Sequence, residues 1–242
     1  MKGTLNPYIS VDCVVFGFEE GQLKVLLINR DAEEKNKDIF KLPGALIKFN
    51  EELAHSASRT LSELTGLNNI YLKQFGVFDN PKRLQVTDDL KWLHLSTGVE
   101  VNRVVTIAYY SLIKIDESKT TELSHAFNAQ WFVIDVLPRL VFDHASIIAA
   151  GLQALGKELL TEPLAYELLP KKFTLNQLQQ VYEAILRISI DNRNFRKKTI
   201  KLGYVQRLNE KQSGVAHKPA QLYTFNKQLF EEYKQKFNGF LI

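Results

Sequence analysis

Apolar and β-branched residues dominate two short stretches near the start of the chain, at 9–16 (ISVDCVVF) and 23–28 (LKVLLI). The polar residues 19–21 (EEG) separate the two stretches, and this pattern predicts a β-hairpin. A turn signal, LPG at 42–44, leads into the next apolar pair. Further strands are predicted at 46–47, 71–78, 104–113 and 131–134.

The apolar spacing takes a helical period in two segments of this first part. In 51–64, Leu53, Ala57 and Leu61 fall on one face, and Gly66 follows as a helix end. Residues 145–160 have the same amphipathic pattern. The mixture predicts an α+β domain over residues 1–160, which is large enough to bury a core of its own.

A different pattern follows residues 161–172, which contain two prolines and two adjacent lysines and predict the domain boundary. Thr174 and Asp191 each precede an amphipathic segment and predict helix starts, and Gly203 ends the second helix. Two strands, a connecting loop and a last helix are predicted at 204–208, 221–225, 209–220 and 227–237. Helix, turn, helix and hairpin are the layout of a winged helix-turn-helix, so we expect this domain over residues 161–242.

The charge is divided unevenly between these two parts. The net charge of the chain is +4, but residues 170–242 hold 14 Lys and Arg against 5 Asp and Glu. The second part is therefore basic and the first is acidic, which favours a polyanionic partner for the second. A solvated basic face without a partner is the alternative.

Composition excludes several classes of protein. The single cysteine, Cys13, rules out an intramolecular disulfide and a zinc site built on cysteines. No apolar run reaches the ~18–20 residues of a membrane span, and the first residues lack the apolar core of a signal peptide, so we expect a cytoplasmic chain. Metal-ligand spacing is absent among the histidines, which are His55, His94, His125, His144 and His217.

Residues 44–67 (GALIKFNEELAHSASRTLSELTGL) resemble the Nudix box. Its pattern is G-x5-E-x7-R-E-U-x-E-E-x-G-U, in which U is apolar. The match, anchored on Glu51, continues at Arg59, Leu61, Glu63, Gly66 and Leu67. The first glycine and two of the glutamates are replaced, by Ala45, Thr60 and Leu64.

These replacements fall on the metal-binding face of the box. Positions 60, 63 and 64 share one helix face, which in an active Nudix hydrolase presents carboxylates to Mg²⁺. Only Glu63 remains there, with Glu51 or Glu52 nearby, so we expect no bound metal, no cofactor and no hydrolysis of nucleoside diphosphates. An ion pair with Arg59 is the favoured role of Glu63.

The segment 191–202 (DNRNFRKKTIKL) is predicted to be a DNA-recognition helix. Phe195 and Leu202 can face inward, toward Leu178 and Tyr182, which leaves the polar residues outward. Arg and Lys suit guanine edges and Asn suits adenine. The predicted DNA contacts are Lys171, Lys172, Thr174, Asn192, Arg193, Asn194, Arg196, Lys197, Lys201, His217, Lys218 and Gln221.

The two domains together resemble the Nudix-related transcriptional regulators of the NrtR type. The resemblance covers nearly the whole chain and includes 167–186 (ELLPKKFTLNQLQQVYEAIL), 193–198 (RNFRKK) and 219–225 (PAQLYTF). It implies a Nudix-like α/β/α sandwich followed by a winged helix. It also implies a homodimeric repressor or activator that binds a palindromic double-stranded operator and releases it when a small molecule occupies the Nudix-like domain.

The resemblance leaves the effector open between two classes. Relatives with intact boxes sense ADP-ribose or related NAD metabolites, whereas a degraded box is similar to the arabinose-responsive AraR group of Bacteroidetes. The lost metal site and the acidic first domain favour a neutral sugar, so we expect L-arabinose or another pentose and a role in sugar catabolism. Motif positions select Asn29, Arg30, Asp31, Lys41, Glu51, Glu63, Asp79, Arg83, Trp92 and His94 as effector contacts.

Other readings of the same residues stay open. Each effector candidate can equally have a surface or packing role; Trp92 and His94 are expected in a loop, and Asp143 is expected to cap the helix after it. The alternative functions are an active Nudix hydrolase of ADP-ribose-like compounds, a regulator of NAD metabolism that senses ADP-ribose, and an RNA-binding protein.

Overall fold

The computed structural model describes residues 4–30, 39–115, 127–214 and 218–236. Asp31, His125, His217 and the end of the last predicted helix lie outside these residues. The chain divides into two compact units. The first consists of residues 1–17 and 24–154, and the second consists of residues 18–23 and 155–242. The predicted boundary at residue 160 lies close to the point where the chain passes into the second unit.

The predicted hairpin at the start of the chain is confirmed. Strand β1 (Leu5–Glu19) is followed by β2 (Gln22–Asn29), its neighbour in the sheet. Glu20 and Gly21 connect them with φ angles of 49° and 79°. A two-residue turn with two positive φ angles matches the right-handed twist of the strands that it joins. Both strands extend beyond the apolar runs that predicted them.

One mixed sheet forms the centre of the first unit. Its order is β5-β6-β1-β2-β3-β8, with β4 paired to β1 and β7 to β2. The pair of β3 and β8 is parallel, whereas β4, β5 and β7 run antiparallel to their partners. The remaining strands are β3 (Ile39–Lys41), β4 (Gly44–Lys48), β5 (Lys73–Phe78), β6 (Val105–Lys114), β7 (Ala129–Val133) and β8 (Arg139–Leu140).

Helices cover both faces of this sheet. They are α1 (Leu53–Thr65), α2 (Thr87–Thr97) and α3 (His144–Leu159). Cys13 and Val15 of β1 pack with Ala57 and Leu61 of α1. The alternate residue Val14 points to the opposite face, where a side chain at Gly151 of α3 would lie 3.5 Å from it. The Nudix-like α/β/α sandwich implied by the resemblance is therefore confirmed.

Helix α2 corrects the prediction that Trp92 and His94 lie in a loop. Apolar and polar residues are spread around α2 without a continuous apolar stripe, so the helical period was not visible in the sequence. Its first residue follows Val86, which provides no side-chain cap, and it ends at Gly98 with φ 67°. Two strands were also missed, because β3 and β8 have only three and two residues.

The second unit has the predicted winged-helix layout. Thr174 Oγ1 accepts a hydrogen bond from Gln177 N at 3.2 Å, and Asp191 Oδ1 accepts one from Asn194 N at 2.8 Å, so both predicted helix caps are confirmed. Gly203, with φ 81°, follows the second of these helices. The elements are α4 (Leu164–Glu167), α5 (Leu175–Leu186), α6 (Asn192–Lys201), β9 (Val205–Lys211), β10 (Gln221–Phe225) and α7 (Lys227–Lys236).

Aromatic side chains form the core of the second unit. The rings of Tyr166 and Phe225 are stacked with centroids 4.1 Å apart. Tyr204 meets Phe230 of α7 edge-on, with centroids 5.2 Å apart, and Phe230 is 1% exposed. The last helix is therefore an integral part of this core. None of the helices that the structure describes is long and apolar enough to cross a bilayer.

We expect Phe230→Ala to destabilise the second unit by about 3–5 kcal/mol, because it leaves a cavity among buried aromatic rings. Chemical unfolding followed by circular dichroism measures the loss. Phe49→Ala is the control, since Phe49 is 59% exposed and its truncation removes little buried surface. An equal effect of the two changes would contradict the assignment of Phe230 to the core.

Candidate effector site and DNA-contacting surface

One arginine, Arg59, forms hydrogen bonds with two of the carboxylates that remain in the Nudix-like box, those of Glu51 and Glu63. Arg59 Nε and an Nη atom donate to Glu51 at 2.6 and 2.8 Å. Its other Nη atom donates to Glu63 at 2.8 Å, so the predicted pair of Arg59 and Glu63 is confirmed. The hydrogen bonds from Arg59 hold the pKa of Glu51 down at about 2. Glu51 and Glu63, which were predicted as effector contacts, are thus both paired with Arg59 of α1.

The replaced box positions face the protein interior. Thr60 is 1% exposed, and its Oγ1 has no hydrogen-bond partner among the described residues. Leu64 packs against the apolar core of the first unit. Neither side chain has an oxygen that is exposed for a metal ion: the hydroxyl of Thr60 is buried, and Leu64, which is partly buried, has no polar group. Within the part of the chain that the structure describes, no group of three His, Cys, Asp or Glu residues is placed to hold a metal.

A buried polar cluster lies on the other side of the sheet, beginning at His144. The backbone N–H of Leu42 donates to His144 Nδ1 at 3.0 Å. Because a backbone amide can only donate, the ring proton is on Nε2, which lies 3.6 Å from Asp12 Oδ1. Burial lowers the pKa of His144, so the ring is neutral at pH 7.

Asp12 is held rigidly in this cluster. Its Oδ2 accepts a hydrogen bond from Thr106 Oγ1 at 2.7 Å, and Thr106 accepts one from Ser10 at 2.8 Å. Gly44 leaves the space that the carboxylate occupies: a Cβ there would overlap Asp12 Oδ1 and lie 2.9 Å from Val11 O. Asp12 was not predicted as a site residue, although an acidic residue within the apolar run at 9–16 was a signal for one.

Arg83 connects Asp12 to the start of α3. Its Nε and an Nη atom lie 3.2 and 2.9 Å from Asp143 Oδ1, and the same Nη atom lies 3.6 Å from Asp12. The prediction that Asp143 caps α3 through its side chain is therefore wrong. A buried guanidinium needs an acceptor more than a solvent-accessible helix end does, and the carboxylate goes to Arg83.

Two further cations lie beside Trp92. Arg30 pairs with Asp89 of α2 at 2.5 Å, and its Cζ lies 5.7 Å from the centre of the Trp92 ring. Lys41 Nζ lies 5.9 Å from the same ring and donates to the carbonyls of Leu42 and Gly44, at 3.3 and 3.2 Å. Burial lowers the pKa of Lys41 to about 8. Both cations are thus within the distance of a cation–π interaction with the Trp92 ring.

The structure thus brings together four of the predicted effector residues, Arg30, Lys41, Arg83 and Trp92. It adds Asp12, Asp89 and His144, which the sequence analysis missed because they are distant in sequence. Among the other predicted residues, Asp79 is exposed, and His94 is exposed on α2 with its Nδ1 3.3 Å from Val99 O. Asn29 is half-buried at the end of β2, where its N–H donates to Asn128 O.

The predicted recognition helix, α6, presents its polar side chains to solvent. Phe195 packs inward on Tyr182, with ring centroids 5.8 Å apart. Thr199, one turn further along the same face of the helix, is buried as well. The predicted DNA contacts on this helix are all exposed: Asn192, Arg193, Asn194, Arg196, Lys197 and Lys201. Lys198 and Ile200, which were not predicted as contacts, are exposed as well. The helix therefore has one buried side and one basic side.

A cleft of about 360 Å³ lies between α5, α6 and the wing, which is the hairpin of β9 and β10 with the loop that joins them. Four predicted DNA contacts line it: Thr174, Arg196, Lys218 and Gln221. The remaining lining residues are Leu175, Pro219, Ala220 and Tyr223. Two cations from separate elements thus converge on one concave surface, an arrangement suited to a phosphate group.

Some predicted DNA contacts already have partners within the second unit. Lys172 pairs with Glu210 of β9 at 2.6 Å, and both side chains are about half exposed. Such a pair contributes about 0–1 kcal/mol, so a phosphate can replace Glu210 at small cost. Gln221 Nε2 donates to the carbonyls of Leu208 and Glu210 and holds the two wing strands together where their register shifts. Lys171 is exposed.

A Nudix-like sandwich followed by a winged helix with a basic second helix defines a class of Nudix-related DNA-binding regulators. Residues 165–225 match the model of the NrtR DNA-binding winged helix domain. The chain is 30% identical over 231 residues to the "ADPR responsive transcriptional repressor NtrR" of Acinetobacter baylyi, covering 93% of this chain and 85% of that protein. The chain belongs to the NrtR family of transcriptional regulators.

Two further comparisons agree with this fold. The crystal structure of Shewanella oneidensis NrtR complexed with a 27mer DNA superposes with a TM-score of 0.66 at 24% identity, covering 92% of this chain and 95% of that chain. The chain is also 28% identical over 144 residues to the ADP-ribose pyrophosphatase of Methanocaldococcus jannaschii, covering 60% of this chain and 72% of that protein.

We expect the contribution of the Glu51–Arg59 pair to stability to disappear between pH 4.5 and pH 2. The pKa of Glu51 in the folded protein, about 2, lies below its ordinary value of 4.5. The pair therefore stabilises fully above pH 4.5, and its contribution is lost as the pH falls toward 2. Glu51→Gln should lower the free energy of unfolding by roughly 1–3 kcal/mol at pH 7 and by little at pH 2.

Urea unfolding across this pH range measures the difference. Glu63→Gln is the matched control, because the Glu63 side chain is 58% exposed and should contribute about 0–1 kcal/mol. A Glu51→Gln effect that is constant from pH 7 to pH 2 would show that the pair does not set the pKa.

Proposed function

We propose that this chain is an operator-binding transcriptional repressor whose Nudix-like domain binds a small-molecule effector without hydrolysing it. The observation that carries the proposal is the state of the box: Arg59 takes up both Glu51 and Glu63, while Thr60 and Leu64 point inward. The domain has thus kept the Nudix fold and a polar interior but has lost the oxygen ligands that Mg²⁺ requires.

The DNA-binding part of the proposal rests on α6 and the cleft beside it. In this proposal the exposed side of α6 enters the major groove, where Arg193 contacts a guanine edge and Asn192 an adenine edge, and Arg196 contacts the backbone from the cleft. Lys218 and the lysines before α5 would contact phosphates on either side. Tyr182 and Phe195 keep the helix fixed while its outer side stays free.

We infer that the repressor acts as a homodimer on a palindromic double-stranded operator. A single winged helix binds one half-site, and two copies related by a two-fold axis bind two half-sites that form an inverted repeat. Two half-sites give the dimer greater sequence selectivity than one domain has. They also give the effector a means of control, since a change in the spacing between the two α6 helices weakens the contacts to both half-sites.

The effector that we propose is an ADP-ribose-type nucleotide. The Acinetobacter baylyi relative is named for its response to ADPR, and the cluster around Trp92 offers matching chemistry. Guanidinium groups bind phosphate oxygens in pairs, and Arg30 and Arg83 are the two in this cluster. Trp92 provides an aromatic face for a ring. The sequence argument against a pyrophosphate assumed that this domain has no basic clamp, yet three basic side chains converge here.

A pentose, as expected from the degraded box, stays the second candidate because of the charge balance of the same cluster. Arg30 and Arg83 are paired with Asp89 and Asp143, and Asp12 lies close to Arg83. The charges of the cluster therefore largely cancel. A neutral polyol needs paired polar groups beside an aromatic face rather than net positive charge. L-Arabinose and a role in sugar catabolism follow from this candidate.

We expect Arg196→Ala to weaken operator binding by about 1–3 kcal/mol, because it removes a cation from the exposed side of the recognition helix. Fluorescence anisotropy with duplexes from upstream regions of the host's own operons measures the affinity. Lys227→Ala removes the same charge from an exposed position at the start of α7 and should leave the affinity nearly unchanged. Equal losses in both variants would indicate a general charge effect instead of a contact.

We expect ADP-ribose to bind the full chain and release the operator, with no metal-dependent turnover. Calorimetry with ADP-ribose and with L-arabinose separates the two effector candidates. Trp92→Ala should weaken binding by roughly tenfold through loss of the aromatic face, whereas Leu95→Ala, at an 81% exposed position of the same helix, should not.

The same preparation tests the absence of catalysis. Incubation of ADP-ribose with Mg²⁺ or Mn²⁺ should yield no hydrolysis, and a turnover of about one per second would establish an enzyme instead. Heat from L-arabinose alone would overturn the nucleotide as effector and support the pentose.

A further inference from the structure

Asp143, at the edge of the buried cluster, has two possible roles: it can cap α3 or pair with Arg83. It directly precedes α3, where an aspartate is among the preferred residues for capping a helix. Its carboxylate is instead bonded to Arg83, at 2.9 and 3.2 Å. The Asp143 side chain is 19% exposed, whereas the Arg83 side chain is 4% exposed. Asp143 therefore covers Arg83 and separates it from solvent.

The second carboxylate near Arg83 is of a different kind. Asp12 lies at 3.6 Å, its side chain is 8% exposed, and Thr106 holds one of its oxygens at 2.7 Å. Asp12 cannot leave without breaking the chain of hydrogen bonds that runs to Ser10. Asp143 has Arg83 as its side-chain partner and has an alternative position on the adjacent helix end. It is thus the displaceable partner of Arg83.

We propose that Asp143 is an internal competitor of the effector: an anionic group of the effector displaces its carboxylate from Arg83, and the freed carboxylate then caps α3. This inference rests on the proposed function, because it assumes an effector in this cluster. A buried guanidinium requires an acceptor in either state. A phosphate oxygen can take the place of Asp143 Oδ1, the one oxygen to which both Nε and an Nη atom of Arg83 donate. The released carboxylate regains a favourable position as a helix cap.

The exchange gives the effector a structural consequence. An effector shifts an equilibrium only when it binds one state more tightly than the other. Here the two states differ in whether the first turn of α3 carries a capping carboxylate. Helix α3 begins at His144 in the first unit, and its residues from Leu155 onward belong to the second unit. The exchange therefore acts on the helix within which the chain passes from one unit to the other.

Asp143→Asn tests the competition, because asparagine loses the charge but caps a helix as well as aspartate does. We expect the variant to bind inorganic pyrophosphate and ADP-ribose about tenfold more tightly than the wild-type chain, in calorimetry of the full chain with EDTA present. Operator release should occur at correspondingly lower ADP-ribose concentrations. Asp88→Asn is the control, since it removes the same charge from an exposed position in the same unit, and it should change neither affinity by more than about twofold.

The outcomes separate this inference from the proposed function. Wild-type binding of ADP-ribose with an Asp143→Asn affinity that is equal or weaker would overturn the competition and leave the proposed function standing. Absence of binding by both proteins would overturn the nucleotide effector and the competition together. Should Asp143→Asn unfold, Asp143→Ser retains a capping side chain without charge, and the same gain in affinity is expected. A ligand-induced rise in Tm that is larger in the variant than in wild type is a second supporting readout.

Discussion

The arrangement of polar side chains inside the first unit depends on the need of each buried charge for a partner. A guanidinium or carboxylate inside a protein loses its water and must find an opposite charge or several hydrogen bonds. Arg83 satisfies this with Asp143, Arg30 with Asp89, and Asp12 with Thr106. Each pair joins residues that are distant in sequence, and the pair of Arg30 and Asp89 links α2 to the end of β2. A polar interior of this kind destabilises the fold unless every member is satisfied, and it is retained where a ligand needs it.

The Nudix-like box obeys the same rule with a different result. A metal ion would normally neutralise the carboxylates of such a helix. With Thr60 and Leu64 in place of two glutamates, Arg59 neutralises Glu51 and Glu63, and the helix is stabilised by an internal cation. In the function proposed above, the buried cluster beside Trp92 takes over the role of the metal face of α1. A fold that supports hydrolysis in some proteins can in this way support recognition in others.

Much of the architecture was visible in the sequence because it depends on local signals. The alternating run at 9–16, the EEG turn, Gly66 and the caps Thr174 and Asp191 each fix a local backbone conformation, and each was found in the structure. The recognition helix was predicted with its outward residues for the same reason. Helix α2 was missed because its apolar residues form no continuous stripe, and β3 and β8 were missed because two or three residues carry no period.

The sequence alone determined the two-domain plan, the replacement of two box glutamates by Thr60 and Leu64, and the basic side of α6, since each follows from residue type and spacing. Only the tertiary structure decided which polar residues form a site. Asp12, Asp89 and His144 come from a strand and two helices separated by many residues, and no local pattern links them. Likewise, Asp143 has the sequence of a helix cap, but burial of Arg83 beside it redirects the carboxylate, because an unpaired guanidinium costs more than an uncapped helix.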